Sequence, residues 1–256
     1  MENTAGALAP GGVIPFEIPT NLAEKIFKKW INKQFLVPNS LKKNAKIHPL
    51  AGIYLPYWAF FTKAICEFTV ETGKIYRIGK ISYVHWTKRN GTYRKTFPET
   101  IIKGSKRHKT AALKSVEPYD FSQAKSYKPH FLSGFAAERY SVGLKEGFEK
   151  CQTVIKNSLQ ESLPKAVKVQ YNADLVRKLK FSIRLTDITY KNVLVPLWMS
   201  HFTYKNEKYE FLINGQTGKL GGKTPKSAGK ILYIWLVILV FLGLVGFLIY
   251  ANTALW

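Results

Sequence analysis

The chain has 256 residues, 46% hydrophobic and 14% aromatic, which is material for a sizeable core and excludes a disordered polyelectrolyte. Against 16 Asp and Glu stand 39 Lys and Arg, a formal charge of +23, so its natural counterparts are polyanions: anionic lipid, an acidic protein or nucleic acid. The two cysteines, Cys66 and Cys151, are too few for a disulfide framework and read as small apolar groups on a strand and a helix.

Residues 1–12 (MENTAGALAPGG) are small and rich in Gly and Pro, and are expected to form a flexible N-terminus. Residues 1–16 lack the basic-then-apolar order of a cleavable signal peptide. After Pro19, Asn21 and Glu24 are spaced as a capping box. Leu22, Ile26, Phe27, Trp30, Ile31 and Phe35 then predict an amphipathic helix closed by Pro38. A β-rich stretch follows from Ile53, with turns expected at Glu71-Thr72-Gly73 and Asn90-Gly91. A second amphipathic helix is predicted from near Gly143 to Leu163, with Leu144, Phe148, Cys151, Ile155 and Leu159 on one face and Pro164 as its stop.

The chain repeats itself. Leu55-Pro56-Tyr57-Trp58 returns as Val195-Pro196-Leu197-Trp198, and Thr72-Gly73-Lys74-Ile75 returns as Thr217-Gly218-Lys219-Leu220. Each pair follows an amphipathic helix. The expected fold class is therefore α+β: two related helix-plus-antiparallel-hairpin units, residues 13–115 and 116–218 of one basic domain 13–218, followed by a basic linker 219–230 and a single transmembrane helix 231–251.

That last segment is the strongest signal. Ile231 to Tyr250 runs for 20 residues without a charge, and 15 of them are Leu, Ile, Val or Phe. As a helix it is roughly 30 Å long, the thickness of a bilayer core. Its apolar side chains favour insertion by roughly 5 to 9 kcal/mol. Tyr233 and Trp235 at one end, and Tyr250 and Trp256 at the other, stand where interfacial aromatics are expected. Lys219, Lys223, Lys226 and Lys230 precede the helix and no charged side chain follows it, so the positive-inside rule places the N-terminal domain in the cytoplasm of a single-pass membrane protein.

Gly52 to Trp58, Glu117-Pro118-Tyr119-Asp120, Leu132 to Tyr140, Leu194 to Trp198 and Asn214 to Gly218 occur in an order that resembles the bacterial membrane proteins described as containing a TFIIB-type zinc ribbon. The resemblance covers about residue 13 to the end. Members of that family normally begin with paired CxxC motifs that bind zinc; this chain has no CxxC, and no zinc is expected on it. Many are labelled as relatives of a primosomal DNA helicase, a label the residues here do not support. Some work beside phage-shock-type membrane coat proteins, which implies a scaffold role.

Motifs for chemistry are sparse. Gly218 to Thr224 (GKLGGKT) misses the phosphate-binding loop by one position, because Thr217 stands where glycine is required. His48, His85, His108, His130 and His201 are isolated in sequence, and Glu117, Asp120 and Glu138 have no nucleophile nearby. No catalysis and no cofactor are therefore expected. Residues 51–115 carry 13 basic and 3 acidic side chains, with Lys103, Lys106, Arg107 and Lys109 crowded together. Those four are the expected contacts for an acidic protein partner, and Lys219, Lys223, Lys226 and Lys230 those for an anionic leaflet. Tyr76, Tyr83, Trp86 and Tyr93, interleaved with basic residues, also have the pattern of a nucleic-acid stacking platform, so membrane-tethered nucleic-acid binding is the alternative to the adaptor reading.

Overall fold

A computed structural model describes residues 10–44, 47–107 and 110–253. It is a mixed α+β protein ending in one long apolar helix. In chain order the elements are β1 (Gly12–Val13), α1 (Thr20–Lys33), α2 (Asn39–Asn44), β2 (Ala51–Ile78), β3 (Ile81–Lys103) and α3 (Thr110–Lys114). There follow β4 (Lys125–Ser126), β5 (Ala136–Ala137), α4 (Leu144–Gln170), β6 (Leu175–Tyr204), β7 (Glu207–Asn214), β8 (Leu220–Gly222) and α5 (Ala228–Thr253). Two compact units interleave along the chain. One takes residues up to Ile14, Tyr54–Arg107 and Phe121–Val195; the other takes Pro15–Ile53, His108–Asp120 and Pro196 onward. Neither coincides with the halves 13–115 and 116–218.

The first unit is built on α4. Its buried residues, Gly147, Cys151, Ile155, Leu159, Leu163 and Val167, recur every fourth position. Each such step advances about 40° around a helix, so the stripe spirals and the strands facing it must coil to follow. On β2 the matching face is every second residue: Trp58, Phe60, Thr62, Ala64, Cys66, Phe68 and Val70 are all buried. Cys151, Ile155 and Leu159 pack with Trp58, Phe60, Ala64 and Cys66, and Leu163 and Val167 with Phe68 and Val70, so helix and strand run in the same direction. Within this unit the strand order is β3-β2-β6-β1-β4. Along β6, Lys178 and Asp187 adopt left-handed φ of 52° and 51°. Val176 faces the core before Lys178, and Leu179, Phe181, Ile183 and Leu185 after it: a bulge has moved the inward face by one residue.

The second unit packs α1 on a short meander of the end of β6, β7 and β8. Ala23, Phe27 and Ile31 form the buried stripe of α1, and Phe27 lies against Phe202 and Phe211 at ring separations of 5.6 and 4.3 Å.

Several expectations change in physical detail. The box of Asn21 and Glu24 is not the cap of α1: Pro19, extended at φ −72° and ψ 160°, begins it, and the Pro19 carbonyl accepts from the Leu22 and Ala23 amides. Phe35 is exposed rather than part of the apolar face. Gly73 and Gly91 are not at turns but inside β2 and β3, which pair without a break from Thr62 to Ile78. Both glycines answer crowding. A Cβ on Gly73 would stand 2.8 Å from Val84 and 2.9 Å from the Trp86 ring, and one on Gly91 would stand 2.9 Å from Phe68. The turn is at Gly79-Lys80, where Gly79 takes φ +61° at the first central position, as a two-residue hairpin turn requires. Pro164 does not stop α4, which continues through it to Gln170; burial of Leu163 and Val167 on either side outweighs the lost backbone hydrogen bond. The segment 219–230 is not a loose linker, since its residues Leu220–Gly222 form β8 and Ala228 opens α5.

Among the described residues α5 is the one helix long and apolar enough to cross a membrane. Its span Ala228–Phe247 has a mean hydropathy of 2.4, and none of it is buried against protein.

The stripe of α4 makes a clear stability prediction. Leu159→Ala should cost about 2–5 kcal/mol in denaturant unfolding of the detergent-solubilised chain, whereas Val154→Ala, on the exposed face of the same helix, should stay within about 0.5 kcal/mol of wild type. Equal effects would mean that α4 is not gripped as described.

Candidate functional site

The motifs that give the chain its resemblance are largely consumed by structure. In the first unit Trp58 donates its indole N–H to the Val142 carbonyl at 2.9 Å, and the Tyr140 ring lies 4.7 Å from it. The Glu138 amide donates to Tyr54, and Phe135 meets the Tyr54 ring edge-on. In the second unit Trp198 donates to the Ile18 carbonyl at 2.8 Å. There the buried Asn214 amide donates to the carbonyls of Val116 and Pro118, at 2.9 and 3.2 Å, while its oxygen accepts from the Gln216 and Thr217 amides. Gln216 holds the Asp120 backbone on both sides, at 2.9 and 3.0 Å. Tyr119 donates to the Pro196 carbonyl at 3.1 Å, and burial pushes its phenol well above the ordinary value. Buried polar groups satisfied to this degree hold loops in place.

The two Pro-x-Trp strands are used alike: the Pro56 carbonyl accepts from Gly104, the Pro196 carbonyl from Gly215. The two Thr-Gly-Lys segments are not, for Gly73 lies inside a continuous strand and Gly218 turns at φ +74°.

Residues 103–107 of the expected basic cluster form a braced loop in the first unit. Gly104 donates to Pro56, and its carbonyl accepts from Ser141 and Val142. Ser105 is hydrogen-bonded to Glu138. Lys106 forms an ion pair of 2.8 Å with Glu146 in the first turn of α4, where Lys150 also reaches the same carboxylate at 3.0 Å. These two ammonium groups, Lys106 first, hold the Glu146 carboxyl below its usual range. Arg107 is exposed, Lys103 is half-buried at the end of β3, and Lys109 lies outside the described residues.

The lysines before α5 divide. Lys223 and Lys226 are exposed between β8 and α5, while the Lys219 ammonium donates to the Glu117 carbonyl. Lys230 is half-buried, and its ammonium donates to Phe35 O at 3.0 Å, Val37 O at 2.9 Å and Asn39 Oδ1 at 2.8 Å. An ammonium has three protons, and all three are spent here. Ser227 donates to the Leu36 carbonyl beside it, so the start of α5 is clasped to the loop after α1.

The aromatic platform is only partly available. Tyr93 packs towards α4, and Trp86 is covered by the Arg177 guanidinium 3.8 Å from its ring centre. Tyr76 and Tyr83 stack on each other at 5.5 Å and are exposed. Cys66 and Cys151 are both buried in the core; burial raises both thiols, that of Cys151 to about 11 despite a hydrogen bond with Thr100. Thiols so placed are poor nucleophiles. No group of three His, Cys, Asp or Glu capable of holding a metal occurs among the described residues. His48 and His201, far apart in sequence, stack at 4.0 Å. Burial, then His48 and Lys208, hold His201 below the ordinary imidazole value. No local spacing announced that pair.

Over 234 residues the chain is 27% identical to a relative described as "Uncharacterized protein YdjG" from Bacillus subtilis (strain 168), a match that spans 90% of this chain and 68% of that protein. No protein-family profile matches the chain. No solved structure matches it.

Two ionic contacts yield predictions. Glu71 is paired with Lys178 and Arg177, at 3.0 and 2.7 Å, and those hydrogen bonds lower its carboxyl below the usual range. A carboxyl depressed in the folded state contributes stability that is present above the unfolded value and lost as pH falls through the folded one. The stability of wild type should therefore fall more steeply than that of Glu71→Gln between about pH 5 and pH 3. Parallel acid limbs in the two unfolding series would contradict the assignment. For Lys230, Lys230→Met should accelerate hydrogen exchange of the Ser227 amide while leaving affinity for anionic vesicles nearly unchanged. A large loss of vesicle affinity with unaltered exchange would make Lys230 a lipid contact instead.

Proposed function

We propose that the protein is a non-catalytic, membrane-anchored adaptor, with its basic N-terminal domain on the cytoplasmic side, and that it presents this domain to the inner leaflet and to an acidic protein partner. The observation that carries the reading is α5: a helix of bilayer length, uncharged from Ile231 to Tyr250, whose described span Ala228–Phe247 is not buried against protein. Orientation rests on Lys219, Lys223, Lys226 and Lys230 before the span. Lys223 and Lys226 are the exposed pair for lipid head groups, each worth about 1 kcal/mol near an anionic surface. Arg107, with Lys103 and Lys106 beside it, is the centre of the partner surface, and the role of Lys109 is proposed on sequence alone.

The resemblance to zinc-ribbon membrane proteins points to recruitment of a membrane coat in envelope stress. The return of Leu55-Pro56-Tyr57-Trp58 as Val195-Pro196-Leu197-Trp198 and the matching use of Pro56 and Pro196 support reading the chain as two related helix-plus-hairpin units. The competing reading is nucleic-acid binding at the membrane, and the packing of half-buried Tyr93 on the core and the covering of Trp86 count against it.

Two measurements test the proposal. Protease added to intact spheroplasts should spare the N-terminal domain, and protease added after lysis should digest it. The full chain in nanodiscs should capture acidic protein far better than DNA across a salt series, and Arg107→Glu should weaken that capture. Digestion from outside would reverse the topology, and DNA binding with a steep salt slope and no protein capture would establish the alternative.

A further inference from the structure

The hairpin of β2 and β3 outruns the helix that covers it. The last β2 residue packed on α4 is Val70, which meets Leu163 and Val167. Just beyond, the root of the projecting arm is held by the turn after α4. The Asp174 amide donates to the Gly73 carbonyl at 2.9 Å, its carboxylate accepts from the Ile75 amide at 2.8 Å, and Lys74 reaches Asp174 and Asn172. From Ile75 to Tyr83 every residue is exposed. The root of the arm is braced and its tip is bare.

The tip is apolar where a solvated hairpin would be polar. Ile78 and Ile81 are 69% and 73% exposed, and Tyr76 and Tyr83 are 46% and 49% exposed. Register puts these four on one face, as the directly opposed pairs Ile78–Ile81 and Tyr76–Tyr83, followed by Lys74–His85. Along that face the order from the tip is aliphatic, phenolic, cationic. Aliphatic and phenolic side chains beside cations on one face are the composition of a segment that lies in a membrane interface. The other face carries Arg77, and the apex carries Lys80; from Gly73 to Arg89 there is no acidic residue.

From this we infer that the hairpin tip, Tyr76 to Tyr83, is a second membrane contact that seats Ile78, Ile81, Tyr76 and Tyr83 in the interface of an anionic bilayer while Arg77 and Lys80 meet lipid phosphates. Charge complementarity selects this occupant over an acidic-neutral or purely apolar one: the two cations at the tip are exposed beside the apolar face. Depth follows from the backbone. The outer edges of a two-stranded arm leave N–H and C=O groups without partners, which hydrocarbon does not tolerate, so the arm lies at head-group level and Lys80 snorkels to phosphate. The inference rests on the reading of α5 as the anchor, since the tether makes this contact an encounter with the bilayer that already holds the chain.

The test uses the full chain carrying Ile78→Cys labelled with an environment-sensitive fluorophore, one chain per nanodisc; Cys66 and Cys151 are buried and leave the introduced thiol as the reactive one. In discs rich in phosphatidylglycerol, lipids spin-labelled near the head group should quench the probe. Arg77→Glu with Lys80→Glu should lower the docked fraction's equilibrium constant by about fivefold or more for each cation removed. Quenching unaffected by the two reversals, no quenching at all, or protection that arises only when two chains share a disc would each overturn the inference, the last by identifying a second copy as the occupant. Co-elution of chain and disc is read separately. A chain that does not co-elute sinks the anchor reading and this inference with it, whereas a co-eluting chain with an unquenched probe sinks the inference alone.

Discussion

The first unit depends on one geometrical match, the every-fourth-residue stripe of α4 against the every-second-residue face of β2. Six buried helix positions from Gly147 to Val167 are met by buried strand positions from Trp58 to Val70. Strands of 23 to 30 residues are far longer than the usual five or six, and α4 gives them a common partner along much of their length. The same match sets where cover ends. Once α4 reaches Gln170 no further stripe is available, and the hairpin beyond Val70 keeps its internal pairing but loses its partner.

The polar motifs answer a different need. Asn214 and Gln216 pin the segment from Val116 to Asp120, and each tryptophan of the Pro-x-Trp pair donates its indole to a main-chain carbonyl. A motif composed of Pro, Trp, Asn, Gln and Gly looks like a functional signature because those residues are uncommon together. Here the recurrence has a structural cause: irregular loops buried beside a sheet must find partners for their backbone groups, and amide side chains with two donors and an acceptor supply them compactly. What remains for interaction is on the exposed surface, where the chain offers cations and a few apolar side chains.

The parts of the fold visible in the sequence were those with a regular period. The helix face of Leu144, Phe148, Cys151, Ile155 and Leu159, the stripe through Phe27 and Ile31, and the uncharged run from Ile231 all follow from spacing alone. Glycine misled, because its two uses leave the same trace. Gly73 and Gly91 have the sequence context of turns, but they make room for Trp86 and Phe68, and in this hairpin it is Gly79 that supplies a left-handed φ. Pro164 misled because the rule against proline in helices concerns one hydrogen bond, and flanking Leu163 and Val167 bury enough surface to outweigh it. The candidate site was less visible still. That Lys106 faces Glu146 and His48 faces His201 depends on tertiary proximity across 40 and 153 residues, which charge counting along the chain does not register.

The same point changes how the positive charge bears on function. A count of lysines near a membrane helix treats each as a mobile head-group contact, yet Lys230, the one at the helix itself, has its three protons on Phe35, Val37 and Asn39. What it does in the structure is join the loop after α1 to the start of α5. On the proposal that α5 is the anchor, a flexible joint there would let the second unit tumble, so that no particular face met the leaflet. A clasped joint couples the loop at Phe35 to the first turn of α5, and Phe35, exposed and lying beside the Lys230 ammonium, is then held next to the start of the apolar run. An exposed aromatic ring at that level is costly in water and comfortable among head groups. On the proposal that α5 is the anchor, lipid contacts at this level fall to exposed neighbours such as Phe35, because the three protons of Lys230 are spent on the joint.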